Sequence, residues 1–261
     1  MSEKNLQKPK QKVFVLFPNL EVVHHKHAGD KGVHISYVTR TNHLSLLLEN
    51  AVIRGYKRYA FEYTEGLKDS IIDLKTLFDS RNGIDNSGRQ YFIEIGFGDG
   101  KNSYNIASNN PNINYLCFDV YLQGFAEFMN MLNTNPIDNV LLVRFDAEDF
   151  ITHSISDNSI DGFNIFFPDP WIKRKQKKRR IINPQFTNVL VQKLKNGGII
   201  HTATDIEEYA YSMLDIFTSN NNLKNKFENF APASFKRTKT HFEEKGILAN
   251  RQSFDLVFAK V

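Results

Sequence analysis

From Gln90 onward, short apolar runs alternate with amphipathic segments, and this alternation limits what the chain can fold into. "YFIEIG", "INYLCFDV", "NVLLVRFD", "IDGFNIFF" and "GGIIHTATD" are rich in β-branched and aromatic residues and bounded by Gly, Asn or Asp, as strands are. Between them, residues 101–108, "LQGFAEFMNML", residues 183–195 and "IEEYAYSMLDIF" carry apolar residues at helical spacing. Strand and helix in turn predict an α/β fold, a doubly wound and mostly parallel sheet with helices on both faces. The tail "SFDLVFAKV" alternates in the manner of a last strand, expected to be antiparallel and at the edge.

Upstream, "NHLSLLLENAVIRGYKRYAFEY" and "GLKDSIIDLKTLF" read as two amphipathic helices, and "DSRNGIDNSGR" as loop. Residues 1–12 are polar and Lys-rich, an arm without periodicity. The expected organisation is an N-terminal extension over 1–40 and one domain over 41–261, a size that 261 residues allow. His24, His25, His27 and His34 lie among glycines with no acid or cysteine at ligand spacing, so the segment reads as loop and no metal site is expected. No apolar run is long enough to span a bilayer, and "VFVLFPNLEVV" is short and holds a proline. The single Cys117 sits in an apolar run, which fits a reducing, cytoplasmic setting.

Charge is local. Lys173 to Arg180 holds seven of the chain's 33 Lys and Arg, and the other 26 face 29 Asp and Glu, a net of −3. Such a cluster suits a polyanion that docks at one place.

In an open parallel sheet, ligands sit beyond the carboxyl ends of the strands, so acids there carry the most information. The first expected strand runs into "EIGFGDG", with Glu94, Gly96, Gly98 and Gly100. Its G-x-G-x-G spacing departs from the G-x-G-x-x-G of dinucleotide binders. The next strands end at Asp119, at Asp146 and at Asp169. Asp119 stands at the distance expected of an acid that grips ribose hydroxyls, and Asp146 is placed to accept from an adenine amine. Each alone reads more simply as a cap, whereas four after successive strands outline a pocket.

The set resembles the pocket of a class I S-adenosylmethionine-dependent methyltransferase with its Rossmann-like sheet. More narrowly, "EIGFGDG", "FFPDPWIKRKQKKRR", "ATDIEEYA" and "RTKTHFEEKG" resemble the tRNA (guanine-N7-)-methyltransferases, in that family's order. The resemblance implies S-adenosylmethionine as cofactor, held by Glu94, Gly96, Gly98, Asp119, Asp146 and Asp169, and tRNA as partner. It implies Asp169 as the catalytic carboxylate, with Lys173, Asp205, Arg237, Thr240, His241, Phe242 and Glu243 on the tRNA. Asp119 stands where the family more often has glutamate. The tail after Glu243 lacks the family's usual arginine and glycine.

The residue types suit the chemistry. Guanine N7 is an unprotonated lone pair on the major-groove edge, so methylating it demands positioning more than a base. A carboxylate can orient the guanine and stabilise the positive charge it gains. Trp171 stands ready to stack on a base or to pack beneath the basic loop. A nicotinamide oxidoreductase would share the sheet but not the glycine spacing, and a purely RNA-binding protein has no use for four pocket acids. A methyltransferase acting on another RNA or a protein is the nearer rival.

Overall fold

The computed structural model describes residues 11–20, 36–37, 43–232, 234–235, 243 and 252–261. The expected alternation is realised as β1 (Gln90–Ile95), α4 (Lys101–Asn109), β2 (Ile113–Phe118), α5 (Leu122–Thr134), β3 (Val140–Val143), α6 (Ala147–Ser154), β4 (Ile160–Phe166), α7 (Pro184–Lys193), β5 (Leu194–Thr204) and α8 (Glu207–Thr218). Before them come α1 (Lys12–Leu16), α2 (Leu46–Tyr59) and α3 (Leu74–Asn82); β6 (Leu223–Asn225) and β7 (Phe254–Lys260) follow. The seven strands form one sheet in the order β3-β2-β1-β4-β5-β7-β6, with β1 to β5 parallel and β7 antiparallel to both its neighbours.

Two apolar layers sandwich this sheet. Leu116, Phe118, Leu141, Val143, Phe163 and Ile165 face α3, α6, α7 and α8. Tyr115, Cys117, Val140 and Leu142 face α1, α2, α4 and α5. Neighbouring residues alternate between the layers because side chains along a strand repeat every two residues, and both faces are covered.

Two details differ from the pattern read in the sequence. "GLKDSIIDLKTLF" is not one helix. Asp69 has a φ of 64°, and α3 starts only where the Asp73 carboxylate accepts from the N–H groups of Lys75 and Thr76. The last strand β7 is antiparallel but internal, because β6 pairs along its outer side. Three residues with one buried side chain, Leu223, are too few to show a period.

Part of the N-terminal extension rests on the sheet's helices. Val13 and Leu20 are buried, and the Val13 N–H donates to Glu49 Oε1 at 2.9 Å. The histidine-rich segment lies outside the described residues. Among the described residues no group of His, Cys, Asp and Glu is arranged to hold a metal, and no helix is long and apolar enough to cross a membrane.

Candidate active site

The chain winds away from the β1–β4 boundary in both directions, and a crevice opens there beyond the strand ends. It holds a cavity of about 540 Å³ lined by the ends of β1, β2 and β4, by Phe145 to Ala147, and by Ser36 and Tyr37 of the extension.

One wall is the glycine loop. Gly96, Gly98 and Gly100 all have positive φ, which is why the chain can turn back over the end of β1. The loop is tied to the next strand: Gly98 N–H donates to Asp119 Oδ2 and Tyr121 N–H to Asp119 Oδ1, both at 2.8 Å. Helix α5 presses against it from behind. A Cβ on Gly124 would stand 2.1 Å from the Gly98 carbonyl oxygen. Sequence reasoning does not single out Gly124; its signal is a glycine inside a helical run. Gly124→Ala is expected to displace the loop and weaken cofactor binding by about 1–2 kcal/mol, the usual cost of overpacking. Unchanged affinity by calorimetry would show that the loop adapts freely.

The four acids meet at this cavity in four different states. Glu94 is buried, and burial pushes its carboxyl up to about 7, raised further by Asp119 and partly offset by Ser103 and Asn102 beside it. Among the described residues its Oε2 has no hydrogen-bond partner, nor have the Asn102 amide and the Ser103 hydroxyl. Asp119 keeps part of its surface open to the cavity, yet enclosure raises it to about 6 against its N–H partners and the Arg144 charge. Asp146 lines the cavity and caps α6, its Oδ1 accepting from Glu148 N–H at 3.0 Å and Asp149 N–H at 3.4 Å. Asp169 stands exposed at the rim.

These features fit the expected cofactor. Stranded buried polar groups cost free energy until a ligand pairs them, and a carboxylate flanked by an amide and a hydroxyl suits the ammonium of an amino acid. Asp119 and Asp146 line this cavity together with the rings of Tyr37, Phe118 and Phe145, so its wall is mixed polar and aromatic, the character of a small-molecule site.

The loop carrying Asp169 is held under strain. Phe167 and Trp171 both have left-handed backbones, at φ of 49° and 43°, and they bracket Pro168, Asp169 and Pro170. Each costs about 1–3 kcal/mol, which the surroundings must offset. Buried Arg180 provides part of that support: its Nε–H donates to the Pro170 carbonyl at 2.9 Å, and its guanidinium pairs with Glu208. Trp171 Nε1–H donates to Ser36 O at 2.9 Å, and the Arg179 guanidinium lies 3.6 Å from its ring centroid. Trp171 is therefore packed, the second of its two open readings.

The basic run divides into two groups. Lys177 and Arg180 hold Glu208, whose carboxyl they push down to about 2, and Arg179 also donates to Tyr37 O at 3.0 Å. Lys173, Arg174, Lys175 and Lys178 are exposed on a 3-10 turn and its entry, and pair with no described acid. Replacing those four by Ala should flatten the log–log salt dependence of tRNA binding by up to about 3 units, at 0.7–0.9 per phosphate contact. Lys177→Ala should barely change it. A wild-type slope in the fourfold variant would make the turn a solvated surface.

Asp205 is half-buried just after β5, outside the cavity lining. Glu243 is half-buried. Arg237, Thr240, His241 and Phe242 lie outside the described residues.

Comparison with known proteins extends the geometry. The family described as "Putative methyltransferase" matches residues 88–256. A tRNA (guanine-N(7)-)-methyltransferase of Neisseria gonorrhoeae is 36% identical over 226 residues, 87% of this chain and 90% of that protein. One of the same description from Chromobacterium violaceum is 33% identical over 86% of this chain and 95% of its own. Among solved structures, the 16S rRNA methyltransferase KamB superposes with a TM-score of 0.51 at 11% identity, covering 74% of this chain and 95% of that one. That last likeness concerns the fold alone.

Proposed function

This chain belongs to the tRNA (guanine-N7-)-methyltransferases, and from that membership we propose that it methylates N7 of guanosine 46 in the variable loop of tRNA. The reaction uses S-adenosylmethionine, and the setting is the cytoplasm, as a monomer or a homodimer. Residues 41–261 are the methyltransferase domain, and the extension over 1–40 adds Ser36 and Tyr37 to the cavity wall. The observation that carries the reading is the pairing of a cavity of about 540 Å³ at the ends of β1, β2 and β4 with an exposed carboxylate, Asp169, and the cationic turn that follows it.

When bound, S-adenosylmethionine supplies an electrophilic methyl group on a sulfonium. Glu94 and Asn102 hold its amino-acid end, Gly96 and Gly98 give the backbone room to approach it, Asp119 takes the ribose, and Asp146 the adenine. Asp169 accepts from the ring N–H or amine of the guanine and so fixes N7 in line, and its charge stabilises the cationic ring that forms. No residue has to take a proton from N7, because it carries none. Lys173, Arg174 and Lys175, with Asp205, Arg237 and the segment Thr240–Glu243, hold the tRNA around that guanine, the cations through phosphates that carry shape rather than sequence.

The test is product analysis. After incubation with S-adenosylmethionine, tRNA should yield 7-methylguanosine by nucleoside mass spectrometry and become cleavable at one nucleotide by borohydride and aniline. With 7-deazaguanosine at that position the tRNA should bind and accept no methyl group. Normal methylation of the 7-deaza substrate would move the reaction to another atom, and with it the assignment to N7.

A further inference from the structure

Ile172 is left over by this mechanism. It is 66% exposed, three positions from Asp169, and is followed directly by the exposed cations Lys173, Arg174 and Lys175. A single exposed aliphatic side chain is ordinary on a protein surface. This one differs in where it stands and how it is held. The left-handed backbone at Trp171 turns the chain, Trp171 is pinned by its bond to Ser36 and by the Arg179 guanidinium, and Arg180 anchors Pro170. The half-buried ring of Trp171, which the sequence left open to stacking or packing, is thus engaged with the protein. The apolar group facing outward between the rim carboxylate and the phosphate-binding cations is Ile172.

N7 lies on the major-groove edge, but that groove is deep and narrow in helical RNA and closed to side chains, so an enzyme that must hold one guanine in line draws it out of the stack. Proteins that open a stack commonly drive an Ile, Leu, Phe, Met or Pro side chain into the gap. Ile is well suited, because its branched Cβ restricts χ1 and little rotamer freedom is lost on insertion. We propose that Ile172 is the wedge that fills the space left by the target guanosine and holds that base extruded beside Asp169. This rests on the reading above, that a guanine of a folded RNA is the methyl acceptor. It makes Ile172 a positioning residue: it touches the neighbouring nucleotide and not the reacting atoms.

The experiment uses the full chain and an unmodified tRNA with 2-aminopurine placed 3′ to the target guanosine. Stacking quenches this base, so its fluorescence reports the opened gap. Product analysis with the wild-type protein comes first, because absence of 7-methylguanosine in tRNA would overturn the functional reading and the wedge together. Given product, wild-type protein should raise the fluorescence on binding. Ile172→Ala should bind S-adenosylmethionine normally, give no rise, and lose about tenfold or more in kcat, the share of an unstacking cost that a wedge offsets. Ile172→Leu should keep both the rise and most of the rate. A full rise and wild-type rate in Ile172→Ala overturns the wedge alone. So does a lost rate with the rise intact, which would place the effect in the loop and not in the RNA.

Discussion

Asp169→Ala is expected to bind S-adenosylmethionine nearly as the wild-type chain does and to form 7-methylguanosine about a hundred- to a thousandfold more slowly. That is the range seen when one preorganised electrostatic contact to a transition state is removed. The expectation follows from where the carboxylate stands. It is exposed at the rim, whereas Glu94, Asp119 and Asp146 occupy the cavity wall behind it. Its contribution is greatest when the guanine becomes cationic, so the loss should fall on kcat more than on cofactor affinity. Asp169→Asn retains an acceptor in the same strained loop but not the charge, and should fall between. Wild-type turnover by Asp169→Ala would remove this residue from the chemistry.

Glu94→Gln should separate stability from function in opposite directions. In the folded protein without ligand the Glu94 carboxyl is raised from 4.5 to about 7, chiefly by burial. The folded state therefore holds a proton that the unfolded state releases, and wild-type stability falls as pH rises from about 4.5 to about 7. At about 1.4 kcal/mol per unit, the loss above pH 7 is of order 3 kcal/mol. Gln carries no such charge. The variant should resist urea better than wild type at pH 8, and the difference should vanish near pH 4. Binding should move the other way. An ammonium beside Oε2 favours the ionised carboxylate, so wild-type cofactor affinity should rise between pH 6 and pH 8. The Gln variant should bind far more weakly and with little pH dependence from this site. Calorimetry and urea titrations at both pH values check the two halves, and a Gln variant less stable than wild type at pH 8 would contradict the first.

Much of this fold and part of its site were legible before any coordinates. Periodicity placed β1 to β5 and the helices between them, because a sheet buried on both faces needs short, nearly continuous apolar runs and each covering helix needs one apolar stripe. The acids at the ends of β1 to β4 were legible for a related reason: parallel strands direct all their carboxyl ends to one edge, so positions far apart in sequence become neighbours.

Other features depended on contacts between distant segments, which local pattern does not encode. Whether Trp171 stacks on RNA or packs was decided by Ser36 and Arg179. Which of seven adjacent cations remain for phosphate was decided by Glu208, some thirty residues downstream on α8. Gly124 matters because α5 crosses behind the glycine loop, and β7 is internal because β6 folds back beside it. Glu94 looked like any acid at a strand end until burial, a property of the packed molecule, left one of its oxygens without a partner among the described residues. Composition and periodicity thus determine which surfaces must be covered and which chemistry is available. Tertiary structure decides which polar groups are satisfied from within, and those it leaves unpaired or exposed are the ones a ligand can use.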